Sequence, residues 1–230
     1  MAPVYNRPLA MFIDQLGARM STSEAEKRPV SRRRTQEERS ATTREKVIQA
    51  AIDCIVEEGL HNTTAARIAA RSGVTWGAIA HQFGDKDSVL FAVVERNAER
   101  YRNLLEAALK KAGPTPPERI DALIDVTWTY INEPSAFAFN ELIIYNRASS
   151  NAKIIGQQED LSYKQMKIVW DKFFGEFDIP PAKLDTARNF TLATLQGLSL
   201  MRLITHRRPT FKSEIAALKQ SIVQMLVPES

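Results

Sequence analysis

The stretch that decides the fold is TTAARIAARSGVTWGAIAHQF, residues 63–83. Its first half places Ile68 and Ala69 on the buried side of a short helix, where Ala69 is small enough to allow a close helix approach. Gly73 then permits the left-handed backbone of a tight turn, because glycine has no Cβ. Thr75 follows as an N-cap, since its hydroxyl can accept a hydrogen bond from the first turn of the next helix. The stretch therefore predicts two short helices joined by a tight turn.

The second short helix is expected to have one buried face and one open face. Ile79 and Phe83 have the spacing of buried positions. The positions expected to face outward are Thr75, Trp76, Gly77, Ala78, His81 and Gln82. A pair of this kind is a helix-turn-helix, whose second helix enters the major groove of DNA with its N-terminal residues on base edges. An ordinary helical hairpin would show the same pattern, so the flanking sequence has to decide.

The charge distribution around the helix pair favours DNA. The chain has a net charge of +4, yet residues 27–46 alone hold eight basic residues against three acidic ones. No carboxylate occurs from Gly59 to Gly84, whereas Arg67 and Arg71 are present there. A carboxylate facing phosphates would repel the DNA backbone and reduce the gain from counterion release. A solvated basic tail would explain residues 27–46 equally well.

The segment from Arg44 to Leu90 resembles the DNA-binding head of the tetracycline-repressor (TetR) family. The matching residues are Arg44, Ile48, Ala51, Gly59, Thr64, Ile68, Ala69, Gly73, Val74, Thr75, Gly77, Phe83, Lys86, Asp87 and Leu90. The resemblance implies about nine helices, a homodimer, and a helical C-terminal domain of variable sequence. One departure is that Ala80 and His81 stand where the family usually has aromatic residues.

The same resemblance assigns roles to residues of the head. It implies that Thr64 and Lys86 bind DNA phosphates, Thr64 from a helix N-terminus and Lys86 as a point charge. The complete set of predicted DNA-binding residues is Arg44, Thr64, Thr75, Trp76, Gly77, His81, Gln82 and Lys86.

Breaks and helical periodicity divide the chain into three parts. Residues 1–40 are predicted to be a flexible basic arm, whose arginines 32–34 could enter a minor groove. Residues 41–88 are predicted to be the helix-turn-helix domain, with its first helix capped by Thr42 or Thr43. Residues 89–230 are predicted to be a helical domain for ligand binding and dimerisation. No strand pattern is present, so the predicted fold class is all-α, with a three-helix head and a helical C-terminal body.

Local signals also predict several helix boundaries from residue 85 onward. Asp85 is predicted to cap a long helix that runs to about Ala112. Pro134 is expected to stop one helix, and the next is expected to begin at Phe137.

The last two helices are apolar on more than one face, which exceeds what a peripheral helix needs. The surplus suggests a subunit interface, and the resemblance implies a four-helix contact between two copies. The predicted interface residues are Leu184, Thr191, Leu195, Leu198, Phe211, Ile215, Leu218 and Ile222. A second stripe is formed by Phe190, Ala193, Gly197, Leu200 and Ile204. A helix buried wholly within one subunit would show the same pattern.

The middle helices are rich in aromatic residues, which is typical of an apolar pocket for a small molecule. The predicted lining for a small apolar or aromatic effector is Trp128, Phe137, Tyr145, Tyr163, Trp170 and Phe174. Aromatic residues at helical spacing also occur as ordinary core, so this pattern alone leaves both interpretations open.

Together these features predict a DNA-binding transcriptional regulator, a ligand-responsive repressor that binds a palindromic operator as a dimer in the cytoplasm. The alternative is a helical adaptor, or a regulator without a small-molecule effector. No nucleophile–base pair, glycine-rich phosphate loop or paired-carboxylate motif is present, so neither an enzyme nor a cofactor is expected. Cys54 is the single cysteine, the three histidines lack metal-ligand spacing, and no apolar run is long enough to span a bilayer.

Overall fold

The computed structural model describes residues 36–146, 166–205 and 209–227. Every regular element within these ranges is helical, which confirms the all-α fold class. In chain order the helices are α1 (Gln36–Glu58), a 3-10 turn (Leu60–Asn62), α2 (Ala65–Ser72), α3 (Trp76–Phe83), α4 (Lys86–Lys111), α5 (Pro116–Ile131), α6 (Pro134–Asn146), α7 (described over residues 166–174), α8 (Pro181–Ile204) and α9 (Lys212–Leu226).

Helix α1 begins at Gln36, so the predicted caps Thr42 and Thr43 lie inside it. The Thr42 hydroxyl donates to the carbonyl oxygen of Glu38 at 2.7 Å, and Thr43 makes the same bond four residues back. A hydroxyl bonded in this way satisfies itself within the helix and need not end it. The prediction of a flexible arm is therefore wrong over residues 36–40. The rest of that arm, including its three arginines, lies outside the described residues.

Pro134 starts helix α6 as well as following α5. Helix α5 ends at Ile131, but α6 begins three residues before the predicted start at Phe137. The backbone N–H groups of Ala136 and Phe137 donate to the carbonyl oxygen of Glu133 at 3.0 and 3.3 Å. Proline suits the first turn of a helix, because an N–H group there would have no helical partner.

Helix α4 belongs to two cores. Its first half supplies Val89 and Val93 to the head core, which is built with α1, α2 and α3. Its second half supplies Leu105 to the body core, which is built with α5, α7, α8 and α9. Asp85 caps this helix as predicted, its carboxylate accepting a hydrogen bond from the Ser88 N–H at 2.7 Å. The predicted boundary after residue 88 therefore falls in the first turn of the helix that joins the cores, and it does not separate them.

Helix α6 completes the head core although it lies far along the chain. Ala138 and Leu142 are buried among the residues of α1 and α4. The carboxylate of Glu141, between them, accepts a hydrogen bond from the Leu60 backbone N–H at 2.6 Å. The head therefore folds against a body helix, which fixes how the two short helices of the helix-turn-helix are presented.

Candidate nucleic-acid interface

Helices α2 and α3 each follow a threonine N-cap, and the sequence predicts the second of these, Thr75. Thr64 Oγ1 accepts a hydrogen bond from the Arg67 N–H at 3.3 Å, and Thr75 Oγ1 accepts one from the Ala78 N–H at 3.3 Å. Between the helices Gly73 has a φ of +67°, in the left-handed region that strains any residue with a Cβ. Local chemistry therefore fixes the start of both helices and the turn between them.

Helix α3 presents one face to the head core and the other to solvent. Ile79 is fully buried, and Phe83 packs against the same core from the last turn of the helix. The exposed residues are Thr75, Gly77, Ala78 and His81. A Cβ added at Gly77 would have no neighbouring atom within 4 Å. Packing within the subunit does not require this glycine, which leaves the surface of the helix open to a close approach from outside.

Trp76 and Gln82 are less exposed than the sequence pattern suggested. Trp76 is half-buried and packs against the head core. Gln82 Nε2 donates to the carbonyl oxygen and the hydroxyl of Ser40 at 2.9 and 3.1 Å. The prediction that both face outward is therefore corrected. The large apolar ring of Trp76 gains more by covering the core, and Gln82 ties α3 to α1.

Lys86 and Thr64 lie close together at the N-terminus of α2. Lys86 Nζ donates to the carbonyl oxygen of Thr63 at 3.4 Å, directly beside the Thr64 cap. The first turn of a helix carries N–H groups without helical partners, and the helix dipole attracts anions to that end. The structure therefore brings together an ammonium group and a helix N-terminus, the combination that the predicted phosphate contact requires.

Arg44 holds three helices of the head together. Its guanidinium lies 3.4 Å from the carboxylate of Glu95 on α4 and 4.8 Å from the centre of the Phe83 ring on α3. Burial raises the pKa of Glu95, and the positive charge of Arg44 partly offsets that effect. A second pair, Arg96 with Glu45 at 2.7 Å, joins the same two helices α1 and α4. Arg44 is thus a clamp within the head, and its contact with DNA stays a prediction.

The two arginines of α2 are paired with carboxylates that sequence reasoning overlooked. Arg67 forms an ion pair with Glu58, and Arg71 forms one with Glu57 and lies 3.7 Å from Glu58. The hydrogen bond from Arg71 lowers the pKa of Glu57. Both acids stand just before Gly59, where the carboxylate-free span begins. The positive charge of α2 is therefore partly neutralised, and the adjacent acids in the sequence were the available signal.

The predicted effector-lining residues do not share one cavity within the described part of the chain. Trp170 and Phe174 are buried in the body core with ring centres 5.2 Å apart. Of the other predicted members, Trp128 and Phe137 are half-buried and Tyr145 is exposed. Tyr163 lies outside the described residues. The prediction of a shared aromatic pocket is corrected for Trp170, Phe174 and Tyr145, because close-packed rings fill the core and the exposed Tyr145 cannot line it.

The predicted dimer residues face inward. Thr191, Leu195, Ile215, Leu218 and Ile222 are buried within the single subunit. The remaining three pack against the same body core: Leu184, Leu198 and Phe211. The prediction that the five buried residues form the interface is therefore corrected, whereas for the half-buried Leu184, Leu198 and Phe211 it stays a prediction. Periodicity identified a shared face on each helix, but α5 and α7 of the same subunit cover it.

A different face of α8 is apolar and exposed. We define the exposed α8 face by Phe190, Gly197, Leu200, Met201 and Ile204, which include all but one residue of the second apolar stripe in the sequence. Between 41% and 73% of the surface of its large side chains meets solvent. Exposed apolar side chains grouped in this way typically mark a site of contact with another protein molecule.

Two further properties concern the described residues only. Among them, no helix is both long and apolar enough to cross a membrane. No three His, Cys, Asp or Glu side chains of this part of the chain lie close enough together to hold a metal ion.

Comparison with known proteins finds similarity that is concentrated in the head. Residues 47–93 match the family described as "Bacterial regulatory proteins, tetR family". The HTH-type transcriptional regulator BetI of Stenotrophomonas maltophilia (strain R551-3) is 33% identical over 82 residues, which cover 36% of this chain and 42% of that protein. BetI of Brucella canis is 37% identical over 86 residues, covering 37% of this chain and 43% of that protein. The chain thus spans less than half the length of these relatives.

Similarity of fold extends over most of the chain. A putative transcriptional regulator from Saccharomonospora viridis, solved in complex with choline, has a TM-score of 0.64 at 15% identity and covers 82% of this chain and 100% of its own. The multidrug binding protein EbrR, complexed with imidazole, has a TM-score of 0.56 at 17% identity and covers 84% of this chain and 95% of its own. At such identities the match concerns the arrangement of helices alone.

Proposed function

We propose that this chain is a ligand-responsive transcriptional repressor that binds a palindromic operator as a homodimer, on the premise that residues 47–93 match the tetR family of bacterial regulatory proteins. The observation that carries the DNA-binding part is the outward face of α3. Within the described residues, Thr75, Gly77 and His81 form no ion pair or hydrogen bond with another helix. The helix that carries them is held in place by the head core beneath it.

The proposed contacts divide into two kinds. Thr75, Gly77 and His81 enter the major groove, where side chains and a close backbone approach distinguish base pairs. Thr64 and Lys86 bind phosphates, which position the protein without reading sequence. The helix N-terminus at Thr64 and the adjacent ammonium of Lys86 support this division, because both attract an anion.

The exposed α8 face supports assembly into a dimer. A symmetric pair brings the same patch of each subunit together, so an apolar stripe on one copy covers the identical stripe on the other. Gly197 lies within the stripe and permits a close helix approach. In such a dimer the two copies of α3 would lie roughly 34–36 Å apart, one turn of B-DNA.

Helices α4 and α6 provide the coupling between body and head. Arg100 on α4 makes two hydrogen bonds with Glu133, at 2.9 and 3.2 Å, and Asn97 donates to the Tyr130 hydroxyl at 2.6 Å. The same stretch of α4 is paired with α1 through Glu95 and Arg96, so a body rearrangement that moves α4 also moves the head. An effector shifts this equilibrium only by its differential affinity for the two arrangements. Choline and imidazole in the two proteins of similar fold support a small-molecule effector.

The DNA-binding test uses fluorescence anisotropy with fragments selected from a bacterial genome and with random DNA. We expect tight binding to a selected palindrome and weaker binding to random DNA. The change His81→Ala should reduce the preference between the two, whereas Lys86→Ala should weaken both about equally. Lys183→Ala, an exposed change on α8, is the matched control. Equal affinity for all DNA, or no binding, would contradict the proposal.

The dimer test measures molar mass in solution by light scattering. Leu200→Glu places a charge in the exposed α8 face, and we expect it to convert dimers to monomers. Ile144→Glu replaces a similarly exposed aliphatic residue on α6, 60% exposed compared with 58% for Leu200, and should leave the dimer intact. A monomeric parent chain, or a Leu200→Glu variant that stays dimeric, would rule out this interface.

A further inference from the structure

An open cleft lies between α5, the C-terminal end of α8 and the first turns of α9. We call it the α5–α9 cleft and define it by Trp128, Arg202, Thr210, Lys212, Ile215 and Lys219. Its volume is about 440 Å³, within the range of roughly 300–1,000 Å³ that small-molecule sites occupy. Of the residues that the sequence predicted to line an effector pocket, Trp128 is the one found here.

The walls of the cleft carry an excess of positive charge. Asp125 also lines the cleft, but it pairs with Lys219 at 2.7 Å, and Asp121 lies 3.5 Å from the same ammonium group. Arg202 and Lys212 have no carboxylate partner among the described residues. A guanidinium and an ammonium left in this way at a concave surface attract an anion, and the guanidinium can bind a carboxylate through two parallel hydrogen bonds.

The apolar part of the cleft is suited to a planar group. Trp128 is half-buried and is held edge-to-face by Phe211, with ring centres 6.3 Å apart and planes 83° apart. Ile215 and Ala216 continue the apolar surface along α9. An aromatic ring of a ligand can stack on the indole while its anionic group reaches the cations at the edge.

The backbone at the mouth of the cleft is strained. Phe211 has a φ of +54°, the one positive φ among the non-glycine residues that the structure describes. Such a conformation costs on the order of 1–3 kcal/mol and is concentrated at ligand-binding sites. Here it sets the directions of Thr210 and Lys212 on either side, whose polar groups border the cleft.

The cleft is separate from the surfaces already described. Arg202 lies about 100° around α8 from Met201, on the side that meets α5 and α9, so the exposed α8 face and the cleft share no residue. The DNA-facing residues are all in the head. We propose that the α5–α9 cleft binds a small aromatic carboxylate, with its ring on Trp128 and its carboxylate between Arg202 and Lys212. This proposal does not depend on DNA binding.

The test is calorimetric titration of the full chain, without DNA, using 2-naphthoate. We expect 2-naphthoate to bind at least about tenfold more tightly than neutral 2-naphthamide, a difference of about 1.4 kcal/mol. Arg202→Gln and Lys212→Gln should each weaken 2-naphthoate by about tenfold and leave 2-naphthamide unchanged. Both residues lie at the rim, so neither change should disturb the fold. Lys183→Gln on the first turn of α8 removes an equal charge and should have no effect.

Four results would overturn the proposal. Equal binding of 2-naphthoate and 2-naphthamide would show that the cations do not act on the ligand. Loss of the same affinity in Lys183→Gln would show a general charge effect. If inorganic sulfate bound as tightly as 2-naphthoate, Trp128 would contribute nothing to binding. The change Trp128→Leu would then leave the affinity for 2-naphthoate unchanged. Absence of any 2-naphthoate binding at millimolar concentration would exclude the site altogether.

Discussion

Leu142 of α6 tests whether a body helix completes the head core. Leu142 is 2% exposed and lies in the same cluster as Cys54 of α1, which is fully buried. The change Leu142→Ala removes three buried carbon atoms and leaves a cavity, which costs roughly 2–5 kcal/mol. Taking about 3 kcal/mol, the population of molecules with an open head core should rise about 150-fold.

Cys54 provides the assay, because it is the single cysteine of the chain. Burial raises the pKa of its thiol, so in the closed head it is both shielded and protonated. An aromatic disulfide reagent at mildly alkaline pH therefore labels Cys54 only when the head opens, and the labelling rate follows the opening equilibrium when closing is fast. We expect Leu142→Ala to label faster by about the same 150-fold factor.

Ile144→Ala is the matched control on the same helix. Ile144 is 60% exposed, so truncating it should change the free energy of opening by no more than about 0.5 kcal/mol. If Leu142→Ala labels Cys54 no faster than Ile144→Ala does, the head core is complete without α6. The proposed route from body to head through that helix would then be refuted.

Three further predictions concern the helix-turn-helix. Thr75→Ala removes the cap of α3 and should lower the free energy of unfolding by about 1 kcal/mol, measured by urea denaturation. Gly73→Ala should lower the free energy of unfolding by about 1–2 kcal/mol in the same assay, because a residue with a Cβ is strained in left-handed backbone. Space is free around this position, so an unchanged denaturation midpoint would contradict the turn geometry. Glu58→Gln frees Arg67 for phosphate, so the slope of log affinity against log salt should steepen by up to about 0.9, whereas Glu99→Gln, an equal charge change on α4, should leave it unchanged.

The head was largely predictable because its determinants are local. The caps Thr64, Thr75 and Asp85 act within three residues of their own position, and Gly73 acts through its own backbone. Each signal is therefore present in a short stretch of sequence. The failure at the start of α1 has the same origin: Thr42 and Thr43 are good caps, but the residues before them also form helix, and a threonine can bond back within it.

The ion pairs of α2 and the hydrogen bond between Glu141 and Leu60 were harder to predict from the sequence. Glu58 and Arg67 are nine residues apart, close enough that the acidic pair before Gly59 could have been recognised. Glu141 and Leu60 are 81 residues apart. Nothing in the sequence around Glu141 distinguishes it from a solvated acid on a helix, because its partner is a backbone N–H brought to it by folding.

The sequence by itself determined the helical fold, the capped helix-turn-helix and the presence of two apolar stripes on α8. Tertiary structure decided which stripe is covered. Periodicity reports only which residues share a side of a helix, whereas burial depends on what packs there. Helices α5 and α7 cover the stripe of Leu195, and the stripe of Leu200 and Ile204 is left facing solvent.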